Sequence, residues 1–376
     1  MRLLYFSPLS FGGIADYARA QAAALCEAGT EVTLLVTPDF QTLPGAKCKV
    51  ARVLREPPRH GARLARKLGY CRTILQNIAT LDRHIREGKF DRVLFGSYAE
   101  YLAPLWASKL ERHARNGVVF GAVVHDPVRD FVLGPHWWHR RSIARGYSFL
   151  REAFVHEPIT LDTVRPMPRL RTTVIPHGVY EISPALLTRE TAREQLGLPH
   201  NAPVMLAFGH IRDGKNLDLV LRAMQQFPEV HLLVAGAAQS GGQKPAAFYQ
   251  NLARELGVAG RCGWKIGHIP ASDSGNLFTA SDVVLLTYSR AFRSASGVLN
   301  TAIFFRKPCI ASGGEGNLRT MVNQYDLGVW VDPDDPDALV RGIDRWLHAP
   351  PNPRWEEYCR ENSWQRNAKI VLRQMK

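Results

Sequence analysis

The stretch Ser281–Gly314, SDVVLLTYSRAFRSASGVLNTAIFFRKPCIASGG, decides the fold, because it reads as strand, turn, helix and strand in one continuous run. Val283 to Leu286 is a short, unbroken apolar segment between polar residues, the pattern of a parallel strand buried on both faces. Ser294-Ala295-Ser296-Gly297 follows, small residues that let backbone N–H groups approach a ligand, with two hydroxyls as further donors. Val298, Leu299, Ala302, Ile303 and Phe305 give the next helix an apolar side, and Lys307-Pro308 ends it before a strand at Cys309 to Ala311. A helix N-terminus at the carboxyl end of a parallel strand is where open α/β sheets hold anions. A βα turn that only requires small residues has the same composition, so both readings stand on this segment alone.

The same pattern occurs upstream. A strand at Val204 to Phe208 leads into Gly209-His210-Ile211-Arg212-Asp213-Gly214-Lys215-Asn216-Leu217 and a helix over Leu219 to Gln225. Arg212 and Lys215 are ordinary surface charge or, joined with the Ser-Gly helix start, a diphosphate clamp: a guanidinium fork grips two oxygens and an ammonium acts as a point charge. Strand His231 to Ala235 ends at Gly236, residues 240–244 form a polar loop, and Gly263 to Pro270 precedes a helix over about Ser274 to Thr279. In the first half, Leu3 to Phe6, Glu31 to Val36, Val93 to Phe95 and Val118 to Val124 read as strands, with a small-residue helix from about Ile14 to Ala28 after Gly12-Gly13. The turn is not GxGxxG, and no acidic residue ends the second strand at Thr37-Pro38, which counts against a dinucleotide dehydrogenase. His125 falls at the carboxyl end of a strand, where ligand sites form, or serves as a satisfied structural histidine.

At 376 residues the chain exceeds one ordinary core and implies two domains. Cysteines 26, 48, 71, 262, 309 and 359 form no CxxC pair, so neither a structural zinc nor a disulfide framework is expected, which suits a reducing compartment. No apolar run approaches the roughly 18 to 20 residues that span a bilayer, and Met1-Arg2 leads straight into a strand, so a cytoplasmic protein, soluble or peripheral on the inner face of a membrane, is expected. The net charge of +14 calls for anionic partners. Residues 52–89 carry a basic run, and 136–151 set Trp137 and Trp138 beside Arg140, Arg141 and Arg145. Each is a solvated or internally packed face, or a surface that lies on anionic lipid. Nucleic acid is disfavoured because no reading motif appears.

Taken with these motifs, the chain resembles the retaining glycosyltransferases of family 4. The resemblance rests on Gly12-Gly13-Ile14-Ala15-Asp16-Tyr17-Ala18-Arg19, Ile175-Pro176-His177-Gly178-Val179, Gly209 with Arg212 and Lys215 (Asn216 replacing a glycine), the tail Asn300 to Ala311, and a Ser363-Trp364 start to the last helix. It implies an α/β chain of the GT-B fold, two Rossmann-like doubly wound parallel-sheet domains facing a central cleft. The first domain is expected over 1–178, completed by a helix at about 361–376, and the second over 200–360, with the hinge at about 178–200. The places of the two family glutamates hold Phe292 and Asn300, and Asn300 is expected to face the cleft and take the ribose contact. The implied reaction moves a sugar from a nucleoside diphosphate to a glycan, lipid-linked or other hydroxyl acceptor, without metal or further cofactor. Arg212, Lys215 and His125 are the implied catalytic residues. Gly12, Gly13, Gly209, Ile269, Ser294, Ser296, Gly297, Val298, Leu299 and Asn300 would bind the donor. A catalytically silent sugar-nucleotide or glycan-binding partner, and a GT-B epimerase or phosphorylase, are the alternatives.

Overall fold

Strands apolar on both faces need helical layers on both sides, and short βα connections then force parallel pairing. A computed structural model describes residues 1–58, 62–125, 127, 132, 134–180, 185–237, 243–293 and 296–376, with the backbone alone at 63, 271 and 272. The chain divides into two units, Met1–Gly178 with Asn362–Lys376, and Val179–Glu361. Residues that the sequence reading treats as a hinge therefore belong to the second unit from Val179 onward.

The first unit runs β1 (Arg2–Ser7), α1 (Gly13–Glu27), β2 (Glu31–Val36), β3 (Lys49–Arg52), α2 (Arg63–Gly88), β4 (Arg92–Phe95), α3 (Ala103–Arg115), β5 (Val119–Val123), α4 (His136–Tyr147), β6 (Glu152–Val155) and β7 (Arg171–Val174). Its strands form one sheet in the order β3-β2-β1-β4-β5-β6-β7, every pair parallel. The second unit runs α5 (Arg189–Gln195), β8 (Val204–Phe208), α6 (Leu217–Ala223), β9 (His231–Gly236), α7 (Ala246–Glu255), β10 (Cys262–Ile266), α8 (Ala271–Ala280), β11 (Val283–Thr287), α9 (Gly297–Phe304), β12 (Cys309–Ser312), α10 (Asn317–Gln324), β13 (Gly328–Trp330), α11 (Pro336–His348) and α12 (Trp355–Glu361). Its six parallel strands take the order β10-β9-β8-β11-β12-β13. Both sheets reverse their strand order beside the unit's first strand, which is the doubly wound arrangement with its ligand crevice at the reversal. The expected pair of Rossmann-like parallel sheets, the GT-B class, is what the chain forms.

The edge strands β3 and β7 are half polar and carry no apolar run, so the sequence does not mark them. Pairing of β3 with β2 also brings Cys48 back to the last turn of α1, where it is joined to Cys26 as a disulfide with Cα atoms 6.0 Å apart. That bridge corrects the expectation of no disulfide and removes the ground for inferring a reducing compartment from the cysteines.

The last helix, α13 (Trp364–Gln374), returns to the first unit and packs along α1. Ser363 caps it by accepting from the Arg366 amide. Gly178 lies against the Trp364 indole so closely that a Cβ there would stand 2.4 Å from the ring, which leaves no room for a side chain. Asn367, fully buried, donates to the Tyr17 hydroxyl and to the Pro176 carbonyl at 2.8 Å each and accepts from Gln21. Arg92 and Arg151 donate to the carbonyls of Met375 and Gln374 at the helix's far end, where cations also complement its dipole. Asn367→Ala strands these buried partners and is expected to cost about 1–3 kcal/mol in a denaturant titration; an unchanged midpoint and slope would show that α13 is held by its apolar side alone.

Candidate active site

In the second unit, β8 and β11 are adjacent, Met205 lying opposite Val283 and Leu206 opposite Val284. The loops that leave their carboxyl ends, 209–216 and 288–293, therefore emerge side by side at the point where strand order reverses. Gly209 has φ +85°, a left-handed conformation suited to glycine, and a Cβ there would meet Lys215 Nζ at 3.4 Å and Val298 Cγ2 at 3.7 Å. Gly209, His210, Arg212, Lys215 and Thr287 help line a small recess. The loop is pinned from both sides: Thr287 Oγ1 donates to the Lys215 carbonyl, the Ser289 amide to the Gly214 carbonyl, and Asn216 Nδ2 to Asp334. Asn216 itself sits at φ +51°, where asparagine is tolerated better than most residues, so the replacement of a glycine costs little here.

Two cations share this recess with no acid between them. Lys215 Nζ donates to the Phe208 carbonyl at 2.5 Å, and the charge that acts on it is the Arg212 guanidinium. Asp213, although it lies between them in sequence, is turned away and accepts from the Tyr249 hydroxyl and the Lys244 amide. Loss of water around the ammonium, reinforced by the Arg212 charge, pushes the Lys215 pKa down to about 7. The Arg212 guanidinium carbon lies 5.9 Å from the centre of the Tyr288 ring and 5.7 Å from that of Phe292, and its buried Nε has no hydrogen-bond partner. Such an arrangement is ready for an anion.

Helix α9 begins beside this recess, and its residues sort differently from the sequence reading. Ser296 is its N-cap: Oγ accepts from the Leu299 amide and is bonded to the Tyr288 hydroxyl at 2.9 Å, so this hydroxyl supports the helix start instead of reaching for a ligand. Gly297 is exposed and Val298 partly so. Leu299 is buried in the core. Asn300 is 3% exposed, donates to the Ser296 carbonyl and accepts from the Tyr358 hydroxyl at 3.5 Å. The expectation that the Asn300 side chain faces outward is corrected, because helical spacing turns position 300 inward and brings Thr301, on the side of Val298, to the partly exposed face. Among the described residues Thr301 Oγ1 bonds the preceding turn, at the Gly297 carbonyl; counting i, i+3 from Val298 would have found it. Ser294 lies outside the described residues. Ile269, partly buried, packs on the core next to the Pro270 cap of α8, which leaves its backbone as the candidate contact surface.

In the first unit Gly12, at φ +85°, caps α1 and accepts the amides of Ala15 and Asp16, with open space around both Gly12 and Gly13. His125 follows β5, and its Nε2 donates to the Gly96 carbonyl at the end of β4 at 3.0 Å. Its ring stands edge-on to Tyr17, which also meets His156, His177 and Trp364 at centroid distances of 4.9–5.2 Å. Sequence reasoning missed this assembly, since each member comes from a different strand end or helix. Burial holds His156 well below the ordinary histidine range and pushes His177 down to about 4, so both are neutral rings near neutral pH.

Comparison with known proteins agrees with this architecture. Residues 11–181 match the family model described as Glycosyltransferase Family 4, and residues 188–366 the model described as Glycosyl transferases group 1. A D-inositol 3-phosphate glycosyltransferase of Mycobacterium tuberculosis is 32% identical over 159 residues; the match spans 39% of this chain and only about a third, 32%, of that relative. Among solved structures, a sucrose-phosphate synthase from Thermosynechococcus elongatus superposes with a TM-score of 0.71 at 18% identity, covering 99% of this chain and 97% of that one. The Anabaena protein HepE, solved in complex with UDP-glucose, has a TM-score of 0.60 at 16% identity, with 100% and 95% covered. With the two family models accounting for its two units in turn, the chain belongs to the group 1, family 4 glycosyltransferases.

Proposed function

We propose that the protein transfers a sugar from a nucleoside-diphosphate donor to a hydroxyl acceptor with retention of anomeric configuration and without a metal ion. The observation that carries this reading is the meeting of the Arg212–Lys215 loop and the start of α9 at the strand-order reversal of the second unit. As the bond between the anomeric carbon and the diphosphate oxygen breaks, negative charge gathers on the leaving group. Donors already aimed at that charge lower the barrier without reorganising. Arg212, Lys215 and the amides of Gly297 and Val298 serve as those donors, and Ser296 holds the helix start in place. The acceptor oxygen bonds to the anomeric carbon, and its proton passes to the departing phosphate. His125, with its tautomer set by the Gly96 carbonyl, is read as a residue on the sugar side.

Arg212→Ala and Lys215→Ala are each expected to lower turnover about 10²- to 10³-fold with the fold intact, and EDTA to leave the rate unchanged. Wild-type turnover in both variants, or a strict need for a divalent ion, overturns the mechanism. The burial of Asn300, which turns the side chain at the expected ribose position inward, favours a second reading, a silent sugar-nucleotide-binding partner. A nucleotide-sugar panel followed by product analysis separates the two, since a silent partner shifts in melting temperature yet consumes no donor.

The depressed Lys215 pKa gives binding a pH signature. Above about pH 7 the free ammonium is mostly neutral, and an anionic donor must restore its proton, so binding takes up a proton and affinity falls as pH rises. From about pH 6.5 to about pH 8.5 the donor's association constant is expected to drop tenfold or more in calorimetry. Lys215→Met should flatten that slope; a flat wild-type slope would remove the buried ammonium from the site.

The acceptor is further proposed to be reached at an anionic lipid surface. The first turns of α2 leave Leu64, Leu68 and Leu75 exposed beside Arg66, Lys67 and Arg72, and Trp137 is 64% exposed at the start of α4. Trp138, by contrast, is fixed inward by a bond from its Nε1 to the Tyr101 carbonyl. No described helix is long and apolar enough to cross a membrane. Binding to anionic vesicles is expected to weaken steeply with salt, since exposed charges are screened within about 8 Å at physiological ionic strength, and to weaken further in Leu64→Glu with Leu68→Glu. Equal partitioning to neutral and anionic vesicles contradicts this reading.

A further inference from the structure

Arg212 presents a difficulty for any clamp: a long, flexible side chain has to be held in one place without a carboxylate to hold it. A carboxylate would also neutralise the charge and occupy the N–H groups that the donor needs. Among the described residues its only close partners are aromatic. Tyr288 and Phe292 stack with ring centroids 3.9 Å apart and an interplanar angle of 23°, and the guanidinium carbon stands within cation–π range of both. The buried Arg212 Nε has no partner, an unsatisfied donor that points to a ligand absent from the free protein. The same Tyr288 bonds through its hydroxyl to Ser296, the cap of α9, and the Phe292 carbonyl accepts from the Gly314 amide, so the shelf is fixed at both ends.

We propose that the Tyr288–Phe292 stack is the positioning element for Arg212, holding the guanidinium by its face so that its N–H edge stays available to the donor's diphosphate. This rests on the clamp reading given above and adds a residue, Phe292, that acts through Arg212 without itself bonding the donor. The stack also ties the two halves of the anion site together. One ring pair orients the cation on the β8 side and, through Ser296, braces the helix start on the β11 side. An aliphatic residue of similar size at 292 would fill the space but present no π face.

The test is a double-mutant cycle read by calorimetric binding of UDP and of GDP, with melting temperature as the control for folding. Phe292→Leu is expected to weaken binding about three- to tenfold, Phe292→Tyr to restore it, and Phe292→Leu to add nothing once Arg212→Ala is present. A loss in Phe292→Leu that persists in the Arg212→Ala background, or no loss in a folded Phe292→Leu protein, overturns the proposal. Should Phe292→Leu fail to fold, Phe292→Met, which also lacks a π face, decides: a loss that vanishes in the Arg212→Ala background supports the shelf, and one that persists there refutes it. Failure of the clamp itself reads out separately, as wild-type affinity in Arg212→Ala alone.

Discussion

Two positive charges with no acid between them are costly to assemble, and the second unit is arranged around that cost. Lys215 loses most of its water and lies near a guanidinium, which lowers its proton affinity. Such a pair persists only because the surrounding chain fixes it: a left-handed Gly209, a left-handed Asn216 anchored on Asp334, a Thr287 hydroxyl on the Lys215 carbonyl and an aromatic stack beneath Arg212. The adjacency of β8 and β11 brings these supports together. On the proposed function, an arriving diphosphate would relieve the repulsion and turn the cost of the pair into selectivity for a doubly charged leaving group.

The first unit solves a different problem. Its sheet sends His125, His156 and Ile175-Pro176-His177 from three successive strand ends toward Tyr17, and α13 closes over them with Trp364 and Asn367. Each histidine donates to a backbone carbonyl, which sets its tautomer, and burial keeps His156 and His177 neutral. The outcome is an aromatic cluster around Tyr17 of α1, made from residues hundreds of positions apart in sequence.

Much of this was legible from the sequence where periodicity and chemistry coincide. The apolar runs of β1, β8 and β11 fix central strands, and Gly209, Arg212 and Lys215 mark a loop whose glycine and cations have separate physical reasons to be there. What escaped depends on rotation and on partners distant in sequence. Whether Asn300 or Thr301 faces outward is a matter of one helical step of about 100°, and Ser296 looks like a ligand donor until its capping bond is seen. The Tyr288–Phe292 stack sits in an apparently irregular loop, and the Cys26–Cys48 bridge depends on the pairing of an edge strand that no apolar run announces.

On the proposed function, the second unit recognises a diphosphate by charge at the reversal point of its sheet. Calorimetric titration with UDP, UMP and uridine, and with the guanosine series, tests it most directly. With two charge-assisted contacts to the second phosphate, the diphosphate is expected to bind about a hundredfold more tightly than the nucleoside, with the monophosphate between them. Equal affinity for nucleoside and diphosphate in whichever series binds would contradict it.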